Sequence, residues 1–314
     1  FTVSCQCSQK YIIIVSMSDD SLAKIVDSLV EERKSERKFK LLSRVFFVIL
    51  LLIIFYLSLS NPMDDNIYQS EHTAVIKLDG VIASNGTINT ETTLELIRKA
   101  FNNDLCKNII LKINSPGGSA TQSKIIYDEI LMFKKNTNKQ IFSVIEDVGA
   151  SGGYYIAASA DKIFASNSSI VGSIGVRIDS LNFKSLFNKL GIKSQTISSG
   201  KDKLILDPFQ DMTEEHKTHL TKLANSIHNE FISDIKISRD NLIKDDIAFS
   251  GLFWTGNEAL GIGLIDEISS LYDVNRDYFN NSKLITYNKK PSIFDNIINS
   301  IVMNYMRNNI GLYY

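Results

Sequence analysis

The chain alternates between three regimes of hydrophobic and polar residues. At 41–59 the run L-L-S-R-V-F-F-V-I-L-L-L-I-I-F-Y-L-S-L carries one charge, Arg44. A single transmembrane helix needs about 20 such residues, and an arginine near one end can snorkel. The alternatives are a cleaved signal peptide and a buried core helix. Against the first stand the long polar leader and a poor cleavage site at 59–62; against the second, the length of the run. From residue 71 short apolar runs alternate with segments of helical period. Strands are expected at 72–80, 108–114, 140–145 and 162–165. Helices are expected at 90–103 (Leu94, Ile97, Ala100 on one face), 120–135 (Ile126, Ile130, Phe133), 184–190 and 212–239, the last with Thr213 as cap. Residues 253–266 read as turn, short helix and last strand. Beyond 280 the chain is rich in Asn and Lys. An apolar stripe there (Ile293, Phe294, Ile297, Ile298, Ile301, Val302) suits docking on a partner or a membrane surface.

Strands alternating with helices predict an α/β fold with a largely parallel sheet. Sites in such sheets form in loops beyond the carboxyl ends of strands. S-P-G-G at 115–118 and D-V-G-A-S-G-G at 147–153 both follow expected strands, so they can lie side by side. The expected organisation is a polar leader at 1–40, a membrane helix at 41–60, a linker at 61–70, a globular domain at 71–279 and a tail at 280–314. The first 16 residues precede Met17, a suitable initiator, and read as non-native. Basic residues (Arg33, Lys34, Arg37, Lys38, Lys40, Arg44) precede the apolar run and Asp64 and Asp65 follow it. The positive-inside rule then keeps the N-terminus cytoplasmic and sends the later residues across the inner membrane.

Charge and cysteine content change this picture little. Over 314 residues the net charge is −1, so no global field points to nucleic acid. The three cysteines, Cys5, Cys7 and Cys106, make neither a disulfide framework nor a zinc spacing.

Ser151 stands between Ala150 and Gly152-Gly153, with small and apolar residues following to Ala160. A hydroxyl among residues of so little bulk can be approached closely. If a helix starts there, its unpaired N–H groups favour an oxygen becoming negative. Such a serine needs a base. The four histidines offer none: His72 precedes the first strand, and His216, His219 and His228 lie on a helix expected to be exposed. His216 and His219 are three apart, but no third metal ligand accompanies them. A lysine kept neutral by desolvation is the alternative. S-G-K-D-K at 199–203 supplies Lys201 and Lys203, and spacing leaves the choice between them open. The adjacent glycines of S-P-G-G can present backbone N–H groups to an oxyanion. Ser173, in V-G-S-I-G-V, can hydrogen-bond a lysine or serve as an ordinary turn residue.

Six blocks in order, L-K-I-N-S-P-G-G-S (111–119), G-A-S-G-G-Y-Y-I-A (149–157), A-D-K-I-F-A (160–165), G-S-I-G-V (172–176), S-G-K-D-K and W-T-G-x-x-A-x-x-x-G-L-I-D (254–266), resemble the signal peptide peptidase A family. These are membrane-anchored serine proteases of the Clp protease/crotonase fold, and this chain resembles their short, unduplicated form over about 73–271. The resemblance implies Ser151 as nucleophile and Lys203, not Lys201, as general base. It also implies the Gly118 and Ser151 amides as oxyanion hole, and Ser173 as partner of the lysine. It further implies a parallel sheet with flanking helices, no metal or nucleotide cofactor, and hydrophobic peptides, chiefly remnant signal peptides, as substrates. The expected assembly is a homo-oligomeric ring, held to the bilayer through 41–60, in which each lysine reaches a neighbour's serine. Two rival readings are a related protease that trims one membrane protein, and a catalytically silent membrane scaffold.

Overall fold

A computed structural model of the chain describes residues 19–59, 70–239 and 242–288. The chain forms two compact units, residues 1–64 with 292–314, and residues 65–291.

Within the first unit, one continuous helix, α1 (Asp19–Leu59), joins the charged leader to the apolar run. Among the described residues no helix is long and apolar enough to cross a membrane. Side chains of α1 are described almost only as far as Ile54, so part of the expected span at 41–60 lies outside them. So do residues 1–18, with Met17 and the first two cysteines, and the apolar stripe at 293–302.

The second unit is an α/β sheet whose central order is β6-β5-β3-β2-β1-β8. The strands are β1 (His72–Asp79), β2 (Cys106–Ser115), β3 (Gln140–Ala150), β4 (Lys162–Ala165), β5 (Ile170–Gly172), β6 (Phe253–Thr255), β7 (Glu267–Ile268) and β8 (Leu284–Thr286). All pairings are parallel except β5 with β6, and β4 joins β3 to β7 off the main path. The helices α2 (Thr90–Phe101), α3 (Ala120–Lys135), α4 (Gly152–Ala157), α5 (Lys184–Lys189), α6 (Glu214–Ser238), α7 (Gly256–Ile262) and α8 (Leu271–Tyr278) alternate with them. Each of α2 and α3 starts where a side chain takes the helix's free amides, Asn89 accepting from Thr92 N and Ser119 from Gln122 N. Thr213 caps α6 by accepting from His216 N at 3.1 Å. A complete capping box forms at Thr255 and Glu258, on α7.

Three differences from the sequence expectation matter. First, β3 runs five residues past 145, through Glu146 and Asp147. Its pairing with β2 slips between Ile113 and Ser115, and Asn114 brackets the irregularity. Asn114 Nδ2 donates to Asp147 at 3.2 Å and its Oδ1 accepts from Val148 N at 3.2 Å. A side-chain bracket of this kind supports a strand where hydrophobic period fails. Second, the helix expected from the small-residue run is the six-residue α4. Third, β8 lies in the stretch expected as tail, pairing with β1 at the sheet edge.

Among the described residues, the larger of two buried clusters includes Ile76, Ile109, Leu111, Ile126, Ile156 and Ile163, and a smaller one gathers Ile110, Phe142, Val144 and Phe164 with Val274 and Phe279. In the middle of β3, Ser143 Oγ is buried and without a hydrogen-bond partner among the described residues. An unpaired buried hydroxyl costs about 1–3 kcal/mol. Ser143→Ala is therefore expected to leave stability unchanged or raise it by about 1 kcal/mol, read as the urea midpoint. A loss of that size would instead show that the hydroxyl has a partner.

Candidate active site

Ser151 stands where β3 ends and α4 begins, as the N-cap residue of α4. Its backbone is at φ 50° and ψ −121°, a region that costs a side-chain-bearing residue about 1–3 kcal/mol. The sequence permits this sharp turn because glycines follow it. A Cβ on Gly152 would lie 2.4 Å from Ser123 Oγ, and one on Gly153 would lie 2.7 Å from the Ser115 carbonyl oxygen. Only bare backbone fits against β2 and α3 here. Tyr154 and Tyr155 then fasten α4: Tyr154 donates to the Leu264 carbonyl at 2.7 Å, and Tyr155 donates to the Asp234 carboxylate on α6. Burial and the Asp234 carboxylate push the Tyr155 phenol well above its ordinary pKa, which keeps it a donor.

The S-P-G-G turn packs directly against this elbow. A Cβ on Gly117 would meet Gly152 N and Ser151 Cβ, each at 2.8 Å. Ile82 holds the turn from the other side, donating to Gly117 O at 2.9 Å and accepting from Ser119 N at 2.8 Å. Gly118 is left at φ 148° with its amide unengaged among the described residues. The Ser151 amide, expected as the second oxyanion donor, instead donates to Gly172 O at 2.8 Å. That bond continues the β3–β5 ladder and spends the donor. The adjacent Gly152 amide, first in α4, has no hydrogen-bond partner among the described residues, as the first N–H of any helix lacks an internal partner. Sequence reasoning missed Gly152 as a candidate donor; the glycine immediately after the serine was the signal for it.

The same Gly172–Ser151 bond brings Ser173 alongside. Ser173 also sits at positive φ, 52°, and donates its amide to Leu252 O at 2.6 Å. Ser151, the Gly117–Gly118 turn, Gly152 and Ser173 thus converge at the carboxyl ends of β2, β3 and β5.

The structure does not bring Lys203 to them. Its side chain is exposed, and among the described residues it makes no hydrogen bond or ion pair with Ser151 or Ser173. It lies in a turn fastened to the start of α6 by its neighbours. Lys201 pairs with Glu215 at 3.0 Å, and Asp202 meets His216 Nε2 at 3.1 Å. The Glu215 carboxylate raises the pKa of Lys201, the wrong direction for a neutral base. The arm that reaches this turn is pinched at its base by the Phe183 N to Pro208 O bond of 2.6 Å and by Phe187 against Phe209. Along the arm Leu181, Leu190 and Ile197 are exposed, Ile197 completely at 101%.

The remaining histidines divide. His72 is buried between Ser70 and Tyr287, and His228 faces inward, donating from Nε2 to Ile174 O over 3.0 Å. The expectation that His228 lies on an exposed helix face is thereby corrected, since it is half-buried. Among the described residues no group of three His, Cys, Asp or Glu side chains could hold a metal ion.

A serine on a strained strand-to-helix turn, ringed by glycine amides in a parallel α/β sheet, defines a domain of the serine peptidase class. Residues 69–171 match the model of Clp protease, and residues 133–284 match that of peptidase family S49. Residues 133–284 thus carry a segment similar to the peptidases of family S49. Among curated proteins it is 39% identical over 203 residues to the Na(+)/H(+) antiporter NhaA of Brucella melitensis biotype 1, covering 63% of this chain and 28% of that protein. It is 31% identical over 201 residues to the chloroplastic serine protease SPPA of Arabidopsis thaliana, covering 63% of this chain and 29% of that protein. The chain spans between 28% and 58% of the length of the first curated relatives it matches. Among solved structures, an alanine mutant of the 1510-N membrane-bound stomatin-specific protease is similar at a TM-score of 0.44 and 18% identity, over 70% of this chain and 99% of that one.

Proposed function

We propose that this chain is a membrane-anchored serine endopeptidase that hydrolyses apolar peptides, chiefly remnant signal peptides, with Ser151 as nucleophile and Lys203 as general base. The observation that carries the reading is the Ser151 elbow beside two unengaged amides, those of Gly118 and Gly152. Lys203 takes the Ser151 proton, the serine oxygen attacks the peptide carbonyl, and the glycine amides hold the developing oxyanion. Lysine then protonates the leaving amine, and water hydrolyses the acyl-enzyme. Ser173, beside Ser151, is the hydroxyl that orients the lysine amine. Lys203 is preferred to Lys201 because it matches the last residue of the resembled family's S-G-x-x-K block, and Lys201 is in addition paired with Glu215.

The separation of Lys203 from Ser151 supports a site shared between copies in a homo-oligomeric ring. The exposed apolar residues of the arm supply a surface that a neighbouring copy would cover. Anchoring rests on the apolar run within α1, whose described side chains from Leu41 to Ile54 are apolar apart from Ser43 and Arg44 and are exposed. Basic residues before the run put the N-terminus in the cytoplasm and the peptidase domain outside the inner membrane.

Purified full chain in detergent is expected to cleave a leucine-rich fluorogenic peptide and synthetic signal peptides at several apolar positions. The measurement is mass spectrometry of the products. Cleavage of neither peptide would defeat the reading and favour a silent scaffold. Cleavage confined to one site of one membrane protein would favour a dedicated trimming protease.

A further inference from the structure

Ser173 holds a backbone conformation that few side-chain-bearing residues adopt, so something must hold it there. One constraint is its amide bond to Leu252 O. The other lies one residue on. Ile174 is fully buried, and its carbonyl oxygen lies 3.0 Å from His228 Nε2. A carbonyl can only accept, so Nε2 carries the proton and donates. His228 belongs to α6, which is fixed to the nucleophile helix six residues later where Asp234 accepts from Tyr155. Helix α6 therefore touches both the Ser173 segment and the nucleophile helix.

We propose that His228 is a positioning residue for the peptidase reaction, holding Ser173 toward the lysine amine through the Ile174 carbonyl. This rests on the function proposed above. His228 is not a base for Ser151, because the nitrogen facing the site is already donating to a carbonyl. The hydrogen bonds run in sequence from His228 to Ile174 O, then along the backbone through Ser173 to Gly172 O, which receives the Ser151 amide. Loss of the histidine leaves a buried carbonyl without its donor at the point where Ser173 is strained.

The test compares His228→Leu, which removes the donor, with His228→Gln, whose amide can reach the same carbonyl. With the full chain in detergent, His228→Leu is expected to lower kcat about 100-fold with little change in KM, the scale of a misplaced reacting group. His228→Gln is expected to restore most of it. In a Ser173→Ala background the His228→Leu loss should largely vanish, because the two residues act as one unit. An equal loss in both backgrounds, or none in either, overturns the proposal, as does failure of His228→Gln to restore activity when its melting temperature matches wild type. A second readout needs no catalysis: hydrogen exchange at the Ser151 amide should speed up about 10-fold or more in His228→Leu and return in His228→Gln. If wild type cleaves no peptide, the function fails. An unchanged exchange rate fails the positioning independently of it.

Discussion

Chains carrying Ser151→Ala are expected to lose about 10⁴-fold or more of peptide turnover, and chains carrying Lys203→Ala a comparable amount. Mixed before assembly in equal amounts, the two inactive chains should recover about a quarter of wild-type activity. In a closed ring with random mixing, that is the share of junctions joining an intact serine to an intact lysine. The expectation follows from geometry: Ser151 sits at a sheet terminus, and Lys203 lies on an exposed turn with no contact to it among the described residues. A fluorophosphonate that labels wild type should not label Ser151→Ala. Equal labelling would remove Ser151 as nucleophile. A mixture that stays inactive, although both chains co-assemble on a sizing column, would place the dyad within one chain. Lys201→Ala serves as the control. Its pair with Glu215 is on the surface, where ion pairs contribute little, so near-normal turnover is expected.

Gly118→Ala should be the most damaging change that leaves all proposed reacting side chains in place. The added Cβ would fall 2.1 Å from the Ile82 carbonyl oxygen, at a φ of 148° that L-residues avoid. Because Ile82 O is fixed by Ser119 N, the turn has to shift and the Gly118 amide turns away from the oxyanion position. Removing one such donor lowers kcat by about 10²–10³-fold. Gly191→Ala separates backbone strain from this displacement. It also sits at positive φ, 70°, but meets nothing within 4 Å. Its expected effect is a small loss of stability with turnover intact. Should Gly118→Ala keep kcat within a few-fold of wild type, Gly118 is not an oxyanion donor.

The strands were legible where apolar residues cluster, as Ala74, Val75 and Ile76 do in β1 and Ile109, Ile110 and Leu111 in β2, and helix starts where caps mark them, as at Thr213. The extension of β3 was not, because Glu146 and Asp147 break the pattern and the strand is sustained by Asn114, a partner distant in sequence. Small residues pointed to Ser151 directly. Which amide beside it stays free depends on the β3–β5 ladder, which takes the Ser151 N–H and leaves that of Gly152. A residue list carries no such information. The choice of Lys203 likewise came from motif resemblance and gains physical support only from the Lys201–Glu215 pair. His228 looked like one more polar residue on a charged helix. Its inward turn depends on how α6 lies over Ile174, a tertiary fact.

Helix α6 contains none of the proposed reacting groups, yet His216 touches the lysine turn, His228 the Ser173 segment and Asp234 the nucleophile helix. At 25 residues it is about 37 Å long and stiff along its axis. Its contacts therefore cannot drift separately: sliding or tilting the helix displaces all three together. Alignment within the domain is then governed by one strut, and packing changes far from Ser151 along that strut bear on how well the site is aimed.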